Sequence, residues 1–229
     1  MLAEFRGKLR LLIIGLLLLG AGISFYYYYQ KELKVIPEEL MNRALDNTLQ
    51  AETYRFRLTV KLQTGGRELE LSNVQGERSR TGDFHFQGRM TGQSVDVYHI
   101  REKTYFKDPI AGRWMIHQGS DPLKQELFMV EIDPLSILRF AQIEELQYLG
   151  RQKDIKGRPY LLVCRPKVVN QFLNRYARDF SYKLWIDRGS TRIQRVTVEA
   201  TSRQKPTDKL TLDLELLDFN RRLNIKAPV

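Results

Sequence analysis

From Glu52 onward the hydropathy of this 229-residue chain shifts from a helical period to a period of two, and it keeps that period through most of the remaining sequence. Tyr54, Phe56, Leu58, Val60 and Leu62 alternate with Arg55, Arg57, Thr59 and Lys61. Successive side chains of a strand point to opposite faces, so this segment reads as a strand with one buried and one solvated face. Thr64-Gly65-Gly66-Arg67 predicts a turn, and Leu69 and Leu71, alternating with Glu68 and Glu70, predict the returning strand of a hairpin. Phe84 and Phe86 share one face of the next strand, punctuated by Gly88 and Gly92. Strand patterns follow at Val95 to Ile100, Thr104 to Lys107 and, after a Pro109 to Gly112 turn, Arg113 to Ile116. Later runs lie at Glu145 to Gln152, at Tyr160 to Arg165 with Pro166 expected to end the strand, at Phe180 to Ile186, at Ile193 to Thr201 and at Leu210 to Leu216. Short strands with tight connections imply one large antiparallel sheet of roughly ten strands.

Few helices are available to cover it. Pro37 stands at a first-turn position, and Leu40, Met41, Ala44, Leu45 and Leu49 recur at helical spacing. Asp133-Pro134 predicts a helix start with Asp as N-cap and an apolar face of Leu135, Ile137, Leu138, Phe140 and Ile143. Val168 to Phe180 predicts another, with Val169, Phe172, Leu173 and Tyr176 on one side. The inward strand positions are mostly long or aromatic: Tyr54, Phe56, Leu58, Val60, Phe84, Phe86, Phe106, Trp114, Tyr182 and Leu184. A sheet curled halfway round so few helices would enclose a cavity lined by these residues, suited to an apolar ligand. The alternative is an ordinary filled core, and no residue pattern separates the two.

Ahead of the sheet, Leu11 to Tyr29 carries no charge and only one conventionally polar residue, Ser24. Its length is close to the ~20 residues that a helix needs to cross ~30 Å of hydrocarbon. Arg6, Lys8 and Arg10 against Glu4 favour a cytoplasmic N-terminus, and Phe25 with Tyr26 to Tyr29 form an aromatic belt. The expected organisation is a cytoplasmic basic segment over 1–10, a transmembrane signal-anchor over 11–29 and one extracytoplasmic domain over 30–229. A cleaved secretory signal is the competing reading. It is opposed by the length of the apolar run and by the lack of a good small-x-small site before Lys31.

Net charge is +10, and removing the +2 of residues 1–10 leaves +8 for the rest, which favours lipid headgroups or wall polymers over nucleic acid as neighbours. The single cysteine, Cys164, excludes an intramolecular disulfide, and its apolar neighbours read it as a buried small hydrophobe. The chain has no nucleophile elbow, Walker loop, dinucleotide-binding turn or zinc-protease helix. His85, His99 and His117 are far apart in sequence. The carboxylate pairs Glu68/Glu70 and Asp213/Glu215 alternate with leucines, as solvated strand faces do. Neither catalysis, nor a metal, nor a cofactor is expected.

Several pieces together resemble the lipoprotein-carrier superfamily, which includes LolA/LolB-type carriers, LppX/LprG-type lipoproteins and RseB-type sensor domains. They are Ala44-Leu45 closing the leading helix, Thr53-Tyr54-Arg55-Phe56 opening the first strand, and Arg113-Trp114 at the end of the meander. Asp133-Pro134-Leu135, Leu184-Trp185-Ile186-Asp187 before a turn, and terminal Asn224-Ile225 and Ala227-Pro228 complete the set. The resemblance implies an α+β fold, an incomplete antiparallel β-barrel (half-barrel) draped over a few helices, with a cavity for acyl chains or a lipidated peptide. The chain departs from the pattern in lacking a lipobox cysteine and in having an apparent anchor, which fits lipid handling or sensing at the membrane surface better than shuttling. The expectation is a single-pass cell-membrane protein whose outer domain binds a membrane lipid or lipid-linked ligand, with an envelope protein as a possible partner. Its alternative is an envelope sensor or docking module with a filled core.

Overall fold

The computed structural model describes residues 14–26, 35–118 and 129–229. Residues 14–26 form helix α1, exposed along its whole length. The remainder of the 11–29 run and the basic residues before it lie outside the described residues. No helix among the described residues is long and apolar enough to cross a membrane.

Helix α2 (Pro37–Leu49) begins at the expected proline, with Glu38 and Glu39 in its first turn, where the helix dipole favours acidic groups. Met41, Ala44 and Thr48 are buried. Thr48 Oγ1 donates to the Ala44 carbonyl at 2.6 Å and accepts from the Ile193 amide at 2.9 Å, tying the end of the helix to the sheet.

The strands are β1 (Thr53–Thr64), β2 (Arg67–Ser79), β3 (Phe84–Met90), β4 (Gln93–Ile100), β5 (Lys103–Lys107), β6 (Trp114–Gln118), β7 (Phe140–Arg151), β8 (Tyr160–Val168), β9 (Ala177–Ile186), β10 (Ile193–Ser202) and β11 (Lys209–Leu217). They form one 11-stranded sheet in the order β6-β5-β4-β3-β2-β1-β11-β10-β9-β8-β7. The chain meanders outward from β1 to one edge, crosses to the other edge at β7, and meanders back until β11 pairs antiparallel with β1. Phe56 faces Leu216, Leu58 faces Leu214 and Val60 faces Leu212 across that central seam. The edges β6 and β7 do not pair with one another, so the sheet is open.

The outer face is laced with cross-strand ion pairs. Among them are Arg57–Glu215 at 3.2 Å, Lys61–Glu68 at 2.8 Å, Lys183–Glu199 at 3.0 Å and Arg195–Asp213 at 3.4 Å. The carboxylates of the Glu68/Glu70 and Asp213/Glu215 runs thus belong to a solvated face, where such pairs each contribute ~0–1 kcal/mol. On the inner face, Gly76 of β2 makes room for the Phe56 ring: a Cβ at that position would lie 2.7 Å from Cζ of Phe56.

Three local expectations are corrected. Asp133 does not cap an α-helix. Its carboxylate instead meets Arg139 at 3.2 Å, and Pro134–Leu138 forms a single buried 3-10 turn after the short helix α3 (Met129–Ile132). Phe140 and Ile143, assigned to that helix from their spacing, pair with Val168 and Pro166 in the β7–β8 ladder, and tertiary pairing overrides the local period. The helix expected over 168–180 shrinks to α4 (Gln171–Tyr176), because Val168 is still in β8 and Ala177 already opens β9. Asn170 caps it by accepting from the Leu173 amide at 2.9 Å, and Arg203 Nε meets the Asn174 and Ala177 carbonyls at its end. Pro166 does not end β8, which runs on to Val168. Beyond Cys164 the strand has β7 as its only partner, an edge position of the kind that tolerates proline.

Candidate functional site

The inner face of the sheet divides into a packed part and a hollow part. Tyr54, Phe56, Leu58, Phe84, Phe86, Tyr182 and Leu184 are all buried in the packed part. Phe84 stacks on Phe86 at 5.9 Å, and Phe140 meets Tyr182 edge-on at 5.1 Å. The Tyr182 hydroxyl donates to the Ile137 carbonyl at 3.1 Å, which fixes the 3-10 turn against β9. Burial pushes both the Tyr54 and Tyr182 hydroxyls well above the ordinary tyrosine pKa, and it pushes the Cys164 thiol up to about 12. Cys164 is therefore an inert core residue.

Two of the ten residues expected to line a cavity lie nearer the β6 edge. Phe106 is half-buried on the face of Val97, its partner in β4. Trp114 is on the opposite face. It pairs with Lys107, while its neighbour Met115 pairs with Phe106. There it meets Tyr98 edge-on at 5.5 Å, and the Lys107 ammonium sits 5.9 Å from its ring. Sequence alternation missed this because β6 is short, and its parity is set only by pairing with β5.

The hollow part is a cavity of about 390 Å³, within the ~300–1,000 Å³ range of ligand sites. Val60 is the one residue of the expected ten that lines it. The cavity forms where three hairpin ends converge. Val60 and Leu62 come from the end of β1, Leu210 and Leu212 from the start of β11, and Met90 from the end of β3. Phe172, Leu173 and Tyr176 of α4 and Val130 of α3 form the opposite wall.

A bulge contributes to the cavity's shape. Val60 pairs with Ser72 and Lys61 with Glu70, so Leu71 is an extra residue on β2, and Leu71 and Ser72 both reach the cavity. Leu69, grouped with Leu71 by simple alternation, is instead an exposed residue. The bulge has no signature in the hydropathy pattern, which is why Ser72 reads as an outer-face residue from sequence.

Two of the polar residues of this cavity are buried, whereas Thr91, Tyr176, Ser202 and Gln204 are half-buried or exposed. Ser72 is 3% exposed and Glu131 of α3 is 5% exposed. Burial raises the Glu131 carboxyl pKa above the ordinary range, offset in part by its own backbone amide and by Ser72. The Ser72 hydroxyl stands close enough to favour the charged carboxylate, yet it makes no hydrogen bond of good geometry. Val130-Glu131-Ile132, a carboxylate between two apolar residues, was the only sequence signal for it.

A second concavity, of about 470 Å³, lies on the outer face and is lined by Arg57, Asn73, Gln75, Gln87, Asp96 and Lys107 among others. Val74 and Val95 are the apolar side chains of its lining, and the rest of the wall is mostly polar. The histidines do not converge: His85 bonds Asp96 at 2.9 Å on the outer face, and His99 bonds Thr104 at 3.0 Å. Among the described residues no group of three His, Cys, Asp or Glu could hold a metal ion.

No protein-family model matches the chain, and no curated protein matches it. Among solved structures it is similar to a LolA superfamily protein from Nitrosomonas europaea, at 9% identity and a TM-score of 0.38, over 83% of this chain and 96% of the other. It is also similar to a DUF1329 family protein from Desulfovibrio piger, at 11% identity and a TM-score of 0.31, over 82% and 95%. A third is a putative outer membrane lipoprotein-sorting protein domain from Vibrio parahaemolyticus, at 12% identity and a TM-score of 0.30, over 81% and 93%.

Proposed function

We propose that this chain is a membrane-tethered, non-enzymatic protein of the cell envelope whose extracytoplasmic domain holds a hydrophobic ligand, the acyl chain of a lipid or lipid-linked molecule, beneath its open sheet. The observation that carries this reading is the aliphatic cavity between β1, β11 and α4, which is large enough for a chain and poor in polar groups. Apolar walls of this kind favour aliphatic ligands by ~25 cal/mol for each Å² removed from water. The exposed apolar helix α1 and the uncharged run around it support the tether, and the basic residues before that run support an inside-facing N-terminus. A docking module with a filled core is the second reading, favoured by the tight packing around Phe56, Phe86 and Tyr182.

Native mass spectrometry of the full-length protein, extracted from membranes in mild detergent, tests the choice. A retained lipid that is lost from a Val60→Trp variant is the expected result. A bare protein, in both forms and in several detergents, would favour the docking module.

A further inference from the structure

The proposed ligand site has one polar corner, and its composition restricts the head group that it accepts. Ser72 and Glu131 face the cavity from β2 and α3, both are more than nine-tenths buried, and the Ser72 hydroxyl has no good hydrogen-bond partner. That hydroxyl lies near the Glu131 carboxyl without a hydrogen bond of good geometry, so it is poised for an acceptor arriving with a ligand. The other polar residues of the lining are Thr91, Ser202, Gln204 and the hydroxyl of Tyr176, none of them cationic. An anionic head group would bring negative charge into an apolar space that, among the described residues, no cation lines.

We propose that Ser72 and Glu131 form a head-group subsite for an uncharged acyl function, an amide or ester, in which Ser72 donates to the acyl carbonyl oxygen and the site discriminates against a free carboxylate. This rests on the reading of the cavity as an acyl-chain site and adds to it the chemistry of the ligand's polar end. The acidic residue supports the selection in either protonation state. Protonated, it is a second donor to the carbonyl or a neutral neighbour. Ionised, it repels a carboxylate outright.

The test uses the full-length chain in lipid nanodiscs and two photoactivatable probes with the same diazirine-bearing sixteen-carbon chain, one a primary amide and one the free acid. Crosslinked peptides are mapped by mass spectrometry at about pH 7.5, where the acid in solution is ionised. The expected result is labelling of peptides from β11 and α4, with the amide favoured at least about tenfold over the acid, since at this pH the acid must enter either as a buried anion or after taking up a proton well above its ordinary pKa. A Ser72→Ala/Glu131→Leu double variant removes both polar groups together, a change that apolar replacement makes tolerable to the fold. It should lose most of its labelling by the amide. Equal labelling by amide and acid in the unmodified chain overturns the head-group subsite while leaving the cavity reading in place. Unchanged labelling by the amide in the folded double variant overturns it too. Absence of labelling at β11 and α4 by either probe overturns both readings.

Discussion

One face of β1 changes character in mid-strand. Tyr54, Phe56 and Leu58 are buried to within 4% exposure, whereas Val60 and Leu62, which continue the same alternation, border open space. The hydropathy pattern is continuous across that boundary. What differs is side-chain size and what lies opposite. At the packed end the Phe56 ring lies over Gly76, and Leu58 is fully buried opposite Leu214. At the hollow end the strands offer aliphatic side chains and a serine, and the cover is α4, a helix of six residues. A period of two therefore states which face is inward, but not whether the inside is full.

Truncation gives the largest expected contrast. Phe56→Ala removes a ring that lies over Gly76 and should cost ~3–5 kcal/mol, a fall of roughly 10 °C in melting temperature for a domain of this size. Val60→Ala, at a side chain already bordered by space, should cost a fraction of that. Similar losses for the two, measured by thermal unfolding, would remove the distinction between the two ends.

Enlargement should invert the order of harm. Leu58 is fully buried and its partner Leu214 is equally so, which leaves no room for an indole, and Leu58→Trp should cost ~1–3 kcal/mol through forced off-rotamer neighbours. Val60→Trp points into about 390 Å³ of space and should keep the melting temperature within about 2 °C while abolishing uptake of a fluorescent acyl probe. If Val60→Trp destabilises as much as Leu58→Trp, and uptake by the unmodified chain is nil, the cavity is not a ligand site.

Much of the scaffold was legible because its determinants are local. The β1–β2 hairpin follows from Thr64-Gly65-Gly66-Arg67, where both glycines take positive φ. The turn after Leu184-Trp185-Ile186-Asp187 follows from an aspartate whose Oδ1 accepts from the Ser190 amide and hydroxyl, each at 2.7 Å. The candidate site was less legible because its determinants are not local. Ser72 reaches the cavity only through a register shift with β1, and Trp114 changes face by pairing with Lys107. Glu131 lies in a stretch with no period at all. Its burial depends on a helix of four residues meeting strands about sixty residues earlier and eighty later in the chain.

The smallest effect expected concerns that glutamate, and its sign distinguishes a polar corner from a packed one. Burial holds the Glu131 pKa above the ordinary value near 4.3, with no charged side chain among the groups that offset it. The folded protein therefore binds a proton there more tightly than the unfolded chain does. The stability that goes with this is fully present below the unfolded pKa and is lost as pH rises through the folded one. Glu131→Gln keeps the shape and removes the titration. Its melting temperature should match the unmodified chain near pH 3, below the unfolded pKa, where both side chains are neutral, and exceed it at pH 8. The difference between the two proteins isolates this group, since every other titration is common to both. An offset that stays constant from pH 3 to pH 8 would show that the carboxyl reaches water in the folded state, and the hollow end of the sheet would then be a wet cleft.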